Sequence, residues 1–143
     1  MPLNIPELLA PMLDTHKDGA NQTLKWRLEQ MDIFMRMITE CEKDFTDALY
    51  QDLRKNRTES MISEILIIRR EIETFQAKLA EWMKPKKVAS PAACMPSVCE
   101  ILSVPLAEPG VLVIGPFNYP VSLPLLAMIG AIGGKSLCAC SPS

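Results

Sequence analysis

The chain has 143 residues, enough for one ordinary domain, with 48% apolar and 22% charged side chains; that balance belongs to folded chains and excludes a disordered one. Fifteen basic against seventeen acidic residues leave a formal charge of -2, so no electrostatic grip on nucleic acid or anionic lipid is expected. Five cysteines at 41, 94, 99, 138 and 140 form no repeated framework, so reduced thiols inside a cell are expected rather than a disulfide scaffold.

The first twenty residues include Glu7, Asp14 and Asp18 and show neither the apolar core of a signal peptide nor an Arg-rich presequence, which makes the cytoplasm the expected compartment. Leu24, Leu28, Met31, Met35 and Ile38 then recur at helical spacing, and Phe45 and Leu49 extend the stripe. Arg27, Glu29, Arg36, Glu40 and Glu42 are expected on the solvated face. Asn56 or Thr58 offers a helix cap, with Glu59 in the first turn where the helix dipole favours an anion. A second stripe runs through Met61 or Ile62, Ile65, Ile68, Ile72, Phe75 and Leu79, closes at Trp82 and stops before Pro85.

Composition changes near residue 85, from charged and helical to proline-rich and strand-like. Residues 84–96 read as a connector whose short basic run, Lys84, Lys86 and Lys87, is solvated surface. Residues 97–106 alternate as an extended arm or edge strand, a position that Pro105 suits because proline cannot donate to a ladder. Val111–Ile114 reads as a strand buried on both faces, 115–120 as a turn, 123–132 as a helix stopped by Gly133 and Gly134, and 137–140 as a further strand. Strand, crossover helix and strand make a βαβ unit with parallel pairing. Residues 110–134 contain no charged side chain and are long enough to cross a bilayer. Pro116, Pro120, Pro124 and Asn118 interrupt that stretch, so a buried strand, turn and helix is preferred to a membrane anchor.

Three sites invite chemistry. Gly130-Ala-Ile-Gly-Gly-Lys135-Ser136 has the look of a phosphate loop, but Ile129 stands where that motif needs glycine, and the glycines follow a helix instead of preceding one. Cys138 and Cys140 share one face of a strand, yet no second pair and no nearby histidine complete a metal site; buried thiols are expected. The one histidine, His16, lies far from any of these in sequence, which removes most Ser–His and Cys–His constellations. Asn118 follows a buried strand at the carboxyl end of a parallel pair, where α/β folds place ligands; a plain turn residue and a ligand-facing amide are equally good readings of it.

Residues 108–120, Glu-Pro-Gly-Val-Leu-Val-Ile-Gly-Pro-Phe-Asn-Tyr-Pro, resemble the aldehyde dehydrogenase motif E-P-x-G-x-x-x-x-I-x-x-W-N-[YF]-P. The similarity continues through Gly130-Ala-Ile to Ser141-Pro-Ser143, where the family has Lys-Pro-Ser. Trp26-Arg27, Asp52-Leu-Arg-Lys-Asn56 and Glu81-Trp82 are similar to the amino-terminal helices of the class 3, fatty-aldehyde-type branch. The resemblance implies an α/β fold. An amino-terminal helical layer (1–84) would be followed by a connector and oligomerisation arm (85–109), then by the first, incomplete βαβ unit of a Rossmann-like cofactor-binding domain (110–143). It implies NAD- or NADP-dependent oxidation of aldehydes to carboxylic acids, with Asn118 as oxyanion donor and Tyr119 lining the substrate. Ile114, Gly115, Pro116, Phe117, Ser141 and Ser143 would lie along the cofactor. Phe117 stands for the family's tryptophan, Ser141 for a lysine that contacts the adenosine ribose, and Lys135-Ser136 for Gly-Asn. The family's catalytic cysteine and glutamate lie downstream of any match here, so a fragment inactive by itself is expected. A homodimer, or pairing with a full-length subunit as a non-catalytic interaction module, is the expected association. A full-length form in an organelle or on a membrane is compatible with the resemblance.

Overall fold

The computed structural model describes residues 23–104, 110–134, 136 and 138–142. Helix α1 (Leu24–Glu40) starts at Thr23, whose hydroxyl accepts the Trp26 N–H at 3.1 Å, satisfying one of the donors a helix start leaves bare. The apolar stripe is continuous through residue 49, but the helix is not. Cys41 breaks it, and α2 (Glu42–Leu53) begins at once with Glu42 and Asp44 in its first turn. Arg54 then adopts a left-handed conformation (φ 56°) and closes α2 as glycine usually would.

Of the two caps offered by the sequence, Asn56 is the one used: its Oδ1 accepts the Glu59 N–H at 2.9 Å at the head of α3 (Arg57–Ser60). The chain passes through a π-helical turn, Met61–Ile65, into α4 (Leu66–Trp82). The extra residue in that turn settles the stripe. Met61 packs against the core and Ile62 stays 62% exposed.

Strand β1 (Lys86–Val88) pairs antiparallel with β2 (Cys99–Ile101), Lys87 opposite Glu100. The expected connector thus contributes a strand of its own, and Pro105 lies outside the described residues. Strand β3 (Val111–Gly115) and β4 (Cys138–Pro142) pair in parallel, Val111 opposite Cys138 and Gly115 opposite Pro142, across the crossover helix α5 (Ser122–Gly133). This is the expected βαβ connectivity.

One core joins the parts. Met31 and Ile38 of α1, Ile65, Ile68 and Ile72 around α4, and Ile129 and Ile132 of α5 form a single buried cluster, and each buried isoleucine contributes about 1.5–3 kcal/mol. The approach of α5 to α4 is close. A Cβ on Gly133 would sit 2.1 Å from the ring of Phe75, and that ring is held edge-on to Trp82 at 5.2 Å, so only glycine fits. Gly115 is under the same constraint, since a Cβ there would sit 2.5 Å from Pro124 Cγ.

Two expectations are corrected. Arg27 is buried, 7% exposed, instead of solvated, because its guanidinium donates to a backbone carbonyl at the end of α5, as described below. Strand β3 is buried on one face only. Val113 and Gly115 face inward, while Leu112 and Ile114 are 61% and 68% exposed, since nothing among the described residues covers that side. No helix among the described residues is long and apolar enough to cross a membrane.

Glu42 accepts from Arg57 at 3.1 Å and from Arg69 at 2.9 Å, tying α2 to α3 and α4. The hydrogen bond from Arg57, with that from Arg69, holds its carboxyl below the usual glutamate value against an opposing effect of burial. Its stabilisation is therefore complete above the unfolded-state value and disappears as pH falls through the folded one. Thermal melts from pH 7 to pH 3 should lose stability more steeply in the wild type than in Glu42→Gln; parallel curves would refute the assignment.

Candidate functional site

The turn between β3 and α5 is built from both sides. Helix α5 has no side-chain cap of its own, since Val121 at its start is in helical geometry and carries no acceptor. The acceptor comes instead from Glu64. Its Oε2 takes the Val121 N–H at 3.0 Å and the Ser122 N–H at 2.9 Å, placing a carboxylate at the positive end of the helix dipole. Glu64 sits in the π-helical turn and is 0% exposed; such turns interrupt the regular side-chain register and are frequent at functional sites.

Lys55 answers the buried carboxylate. Its Nζ lies 2.6 Å from Glu64 Oε1, donates to the Asn118 carbonyl at 2.8 Å, and stands 4.0 Å from the centroid of the Tyr119 ring. Three directions of one ammonium are thereby engaged, which a point charge with rotatable donors can do. The left-handed Arg54 makes this geometry accessible, because it turns the chain sharply between α2 and the Asn56 cap.

At the opposite end of α5, the Arg27 Nη1 donates to the Gly133 carbonyl at 2.9 Å. Burial lowers the guanidinium from its ordinary value, yet a guanidinium remains charged inside proteins. The apolar helix α5 therefore runs from a carboxylate at its amino end to a cation at its carboxyl end, as the macrodipole favours.

These bonds leave a defined surface. The Val121 and Ser122 N–H groups are spent on Glu64, so the start of α5 is not open to a phosphate. The Asn118 carbonyl is spent on Lys55, while the Asn118 side chain is exposed at the carboxyl end of β3. Beside it Tyr119, 39% exposed, joins Ser63, Ile67, Ser122, Leu123 and Leu126 around a groove of about 360 Å³.

The sequence-derived candidates therefore come together only in part. Asn118, Tyr119 and Phe117 share the turn, Phe117 being 76% exposed. Ile114 is exposed on β3, Gly115 is buried beneath Pro124, and Pro116 is half-buried. The backbone of Ser141 is in register with Ile114, and Ser143 lies outside the described residues. Cys138 is half-buried against the core, and no cluster of three or more His, Cys, Asp or Glu among the described residues is arranged to hold a metal.

Sequence reasoning missed Lys55, Glu64 and the placement of Arg27. A signal existed for two of them. Glu64 lies three residues after Met61 and four before Ile68, and Arg27 lies four before Met31, so both stand on apolar stripes where an unpaired charge is prohibitively costly.

No protein-family model matches the chain. An aldehyde dehydrogenase of Craterostigma plantagineum is 36% identical over 129 residues, which cover 90% of this chain and 26% of that protein. A dimeric, NADP-preferring aldehyde dehydrogenase of the dog, Canis lupus familiaris, is 33% identical over 97% of this chain and 30% of its own length. The solved AldH of Staphylococcus aureus, in a substrate-bound state, superposes with a TM-score of 0.88 at 32% identity, covering 99% of this chain and 31% of that one. The chain thus spans about a quarter to a third of the length of the relatives it matches.

Removing the carboxylate should be far more damaging than its place on one turn suggests. Glu64→Ala leaves Lys55 as an unpaired buried cation and is expected to destabilise the chain by about 3–5 kcal/mol. The Val121 and Ser122 amides should also lose their protection from hydrogen exchange. Chemical denaturation and exchange measured by mass spectrometry check both; wild-type values would sink the assignment.

Proposed function

We propose that this chain, which belongs to the aldehyde dehydrogenase superfamily, is the part of an NAD- or NADP-dependent enzyme that receives the aldehyde oxygen during oxidation to a carboxylic acid. The observation that supports this most directly is an exposed amide, Asn118, on a turn whose backbone is anchored on both sides, at the carboxyl end of a parallel strand pair. Ligands of open α/β sheets bind at that end of the strands.

When a nucleophile adds to the carbonyl carbon of an aldehyde, the oxygen gains negative charge. The Nδ2–H of Asn118 donates to that oxygen, and its position is set before the reaction begins. Preorganised donors of this kind contribute about a hundred- to a thousandfold in rate. Tyr119 and the groove beside it line the apolar remainder of the aldehyde.

Ile114 and Phe117 hold apolar side chains outward next to this turn, and the absence of a side chain on Gly115 keeps β3 and α5 close. That surface suits the planar rings of a dinucleotide, which would lie along 114–117, and the resemblance assigns Ser141 and Ser143 to the same cofactor site. The bound dinucleotide supplies the hydride acceptor. In this reading residues 1–84 are the helices of the cofactor-binding domain, 85–109 its connector and arm, and 110–143 its first βαβ unit. The thiolate nucleophile and glutamate base belong to residues outside these 143, and the chain by itself does not turn over aldehydes.

A chimera tests the reading. Residues 1–143 replace the corresponding part of the dog enzyme, and NADP-dependent turnover of an aldehyde is followed. The chimera should be active, and Asn118→Ala within it should lower kcat by about a hundred- to a thousandfold. An inactive chimera, or an Asn118→Ala chimera with undiminished turnover, overturns it.

A second reading, an interaction module that pairs with another subunit, is favoured by one observation. Val98, Ile101, Leu102 and Val104 along the β2 arm are 58–82% exposed, and a short hairpin with open edges invites pairing with another chain. Light scattering on the purified chain should give a mass above that of the monomer, and charged substitutions at Val98 and Val104 should return it to monomer; a wild-type monomer excludes self-pairing through this arm.

A further inference from the structure

We infer that Lys55 and Glu64 are positioning residues for the oxyanion donor, fixing Asn118 from beneath without touching substrate. The inference rests on the reading of Asn118 as the donor and adds the means by which it is aimed. Asn118 is exposed. Its pose follows from its backbone. That backbone is pinned at the Asn118 carbonyl by Lys55 at 2.8 Å, and three residues on, at the Val121 N–H, by Glu64 at 3.0 Å. A single ion pair, 2.6 Å across, thus holds both ends of the segment that presents the amide.

The location argues against a purely stabilising role. Glu64 is 0% exposed and Lys55 9% exposed, and a buried ion pair is often no better for stability than apolar residues of similar volume. An apolar pair at 55 and 64 would fill the space and keep the core, but would leave the Asn118 carbonyl and the Val121 and Ser122 amides without partners and the turn free to shift. Displacement of a catalytic group by about 1 Å costs about a hundredfold in rate. The stacking of Lys55 on Tyr119 ties the groove wall to the same anchor.

The test is a double-mutant cycle in the chimera described above, combining Lys55→Met with Asn118→Ala. Lys55→Met alone should lower kcat about ten- to a hundredfold and leave KM for the dinucleotide unchanged. In the Asn118→Ala background it should lower kcat no further, because the donor it aims is already gone; such non-additivity is the mark of residues acting through one another. An equal loss in both backgrounds, or no loss in either, overturns the inference. If Asn118→Ala alone retains full turnover, the donor reading itself fails, a result distinct from an additive cycle. Should Lys55→Met not fold, Lys55→Arg enters the same cycle. It keeps the charge opposite Glu64, but its planar fork cannot serve the Asn118 carbonyl and the Tyr119 ring as a compact ammonium does.

Discussion

The carboxylate of Glu64 at the amino end of α5 is the contact on which the rest of the molecule depends. Helix α5 begins after Pro120, at a residue with no side-chain acceptor, and has no charged residue of its own. Its first N–H groups are buried against the helical layer and would be unsatisfied without a partner from elsewhere. The partner comes from 57 residues earlier in the chain. Placing it there required a π-helical turn that re-aims Glu64, a left-handed residue at Arg54, and a lysine to neutralise the charge. Three local features of the amino-terminal half are explained by one requirement of the carboxyl-terminal half.

The same logic governs the other end of the helix. Apolar contact is non-directional, and α5 is apolar around most of its circumference, so packing against Ile65, Ile68 and Ile72 does not by itself determine how far the helix slides or rotates. The Arg27 bond to the Gly133 carbonyl and the Glu64 bonds to Val121 and Ser122 are directional and lie at opposite ends. Together they set register. The close fit of Gly133 beneath Phe75 acts in the same sense, since a shift that brought Ile132 to that place would drive its side chain into the ring. The turn that carries Asn118 is thereby joined to a helix that cannot drift.

Much of this was legible from residues alone. The two apolar stripes, a cap at Asn56 or Thr58, the glycine stop of α5 and the strand–helix–strand order follow from local rules of period and capping, and the structure uses Asn56 of the two caps. The Asn118 turn stood out because its residue types form a specific motif. What could not be read was pairing at a distance. Arg27 was expected in water because arginines usually are, although its spacing from Leu24 and Met31 places it on the buried stripe. Glu64 passed unremarked for the same reason. A buried charge is intelligible only when its partner is known, and the partners, Gly133 and the start of α5, lie more than fifty residues away. The break at Cys41 was likewise hidden, because an apolar stripe continues in phase across it.

The exposed side of β3 completes the physical picture. A parallel strand rich in valine and isoleucine ordinarily lies between two covering layers, and among the described residues one layer is present. The inward residues, Val113 and Gly115, are committed to α5, and through α5 to the ion pair. The outward residues, Leu112 and Ile114, continue into Phe117 to give an apolar strip that ends at Asn118. One face of the strand therefore gives the turn its rigidity, and the other offers contact area to whatever lies against it. The residues that hold the turn in place are therefore not those left exposed beside it. Lys55, Glu64 and Arg27 anchor the turn and the helix that follows it, whereas Ile114 and Phe117 stay exposed beside them. The amide sits at the junction, its backbone belonging to the rigid side and its side chain to the open one.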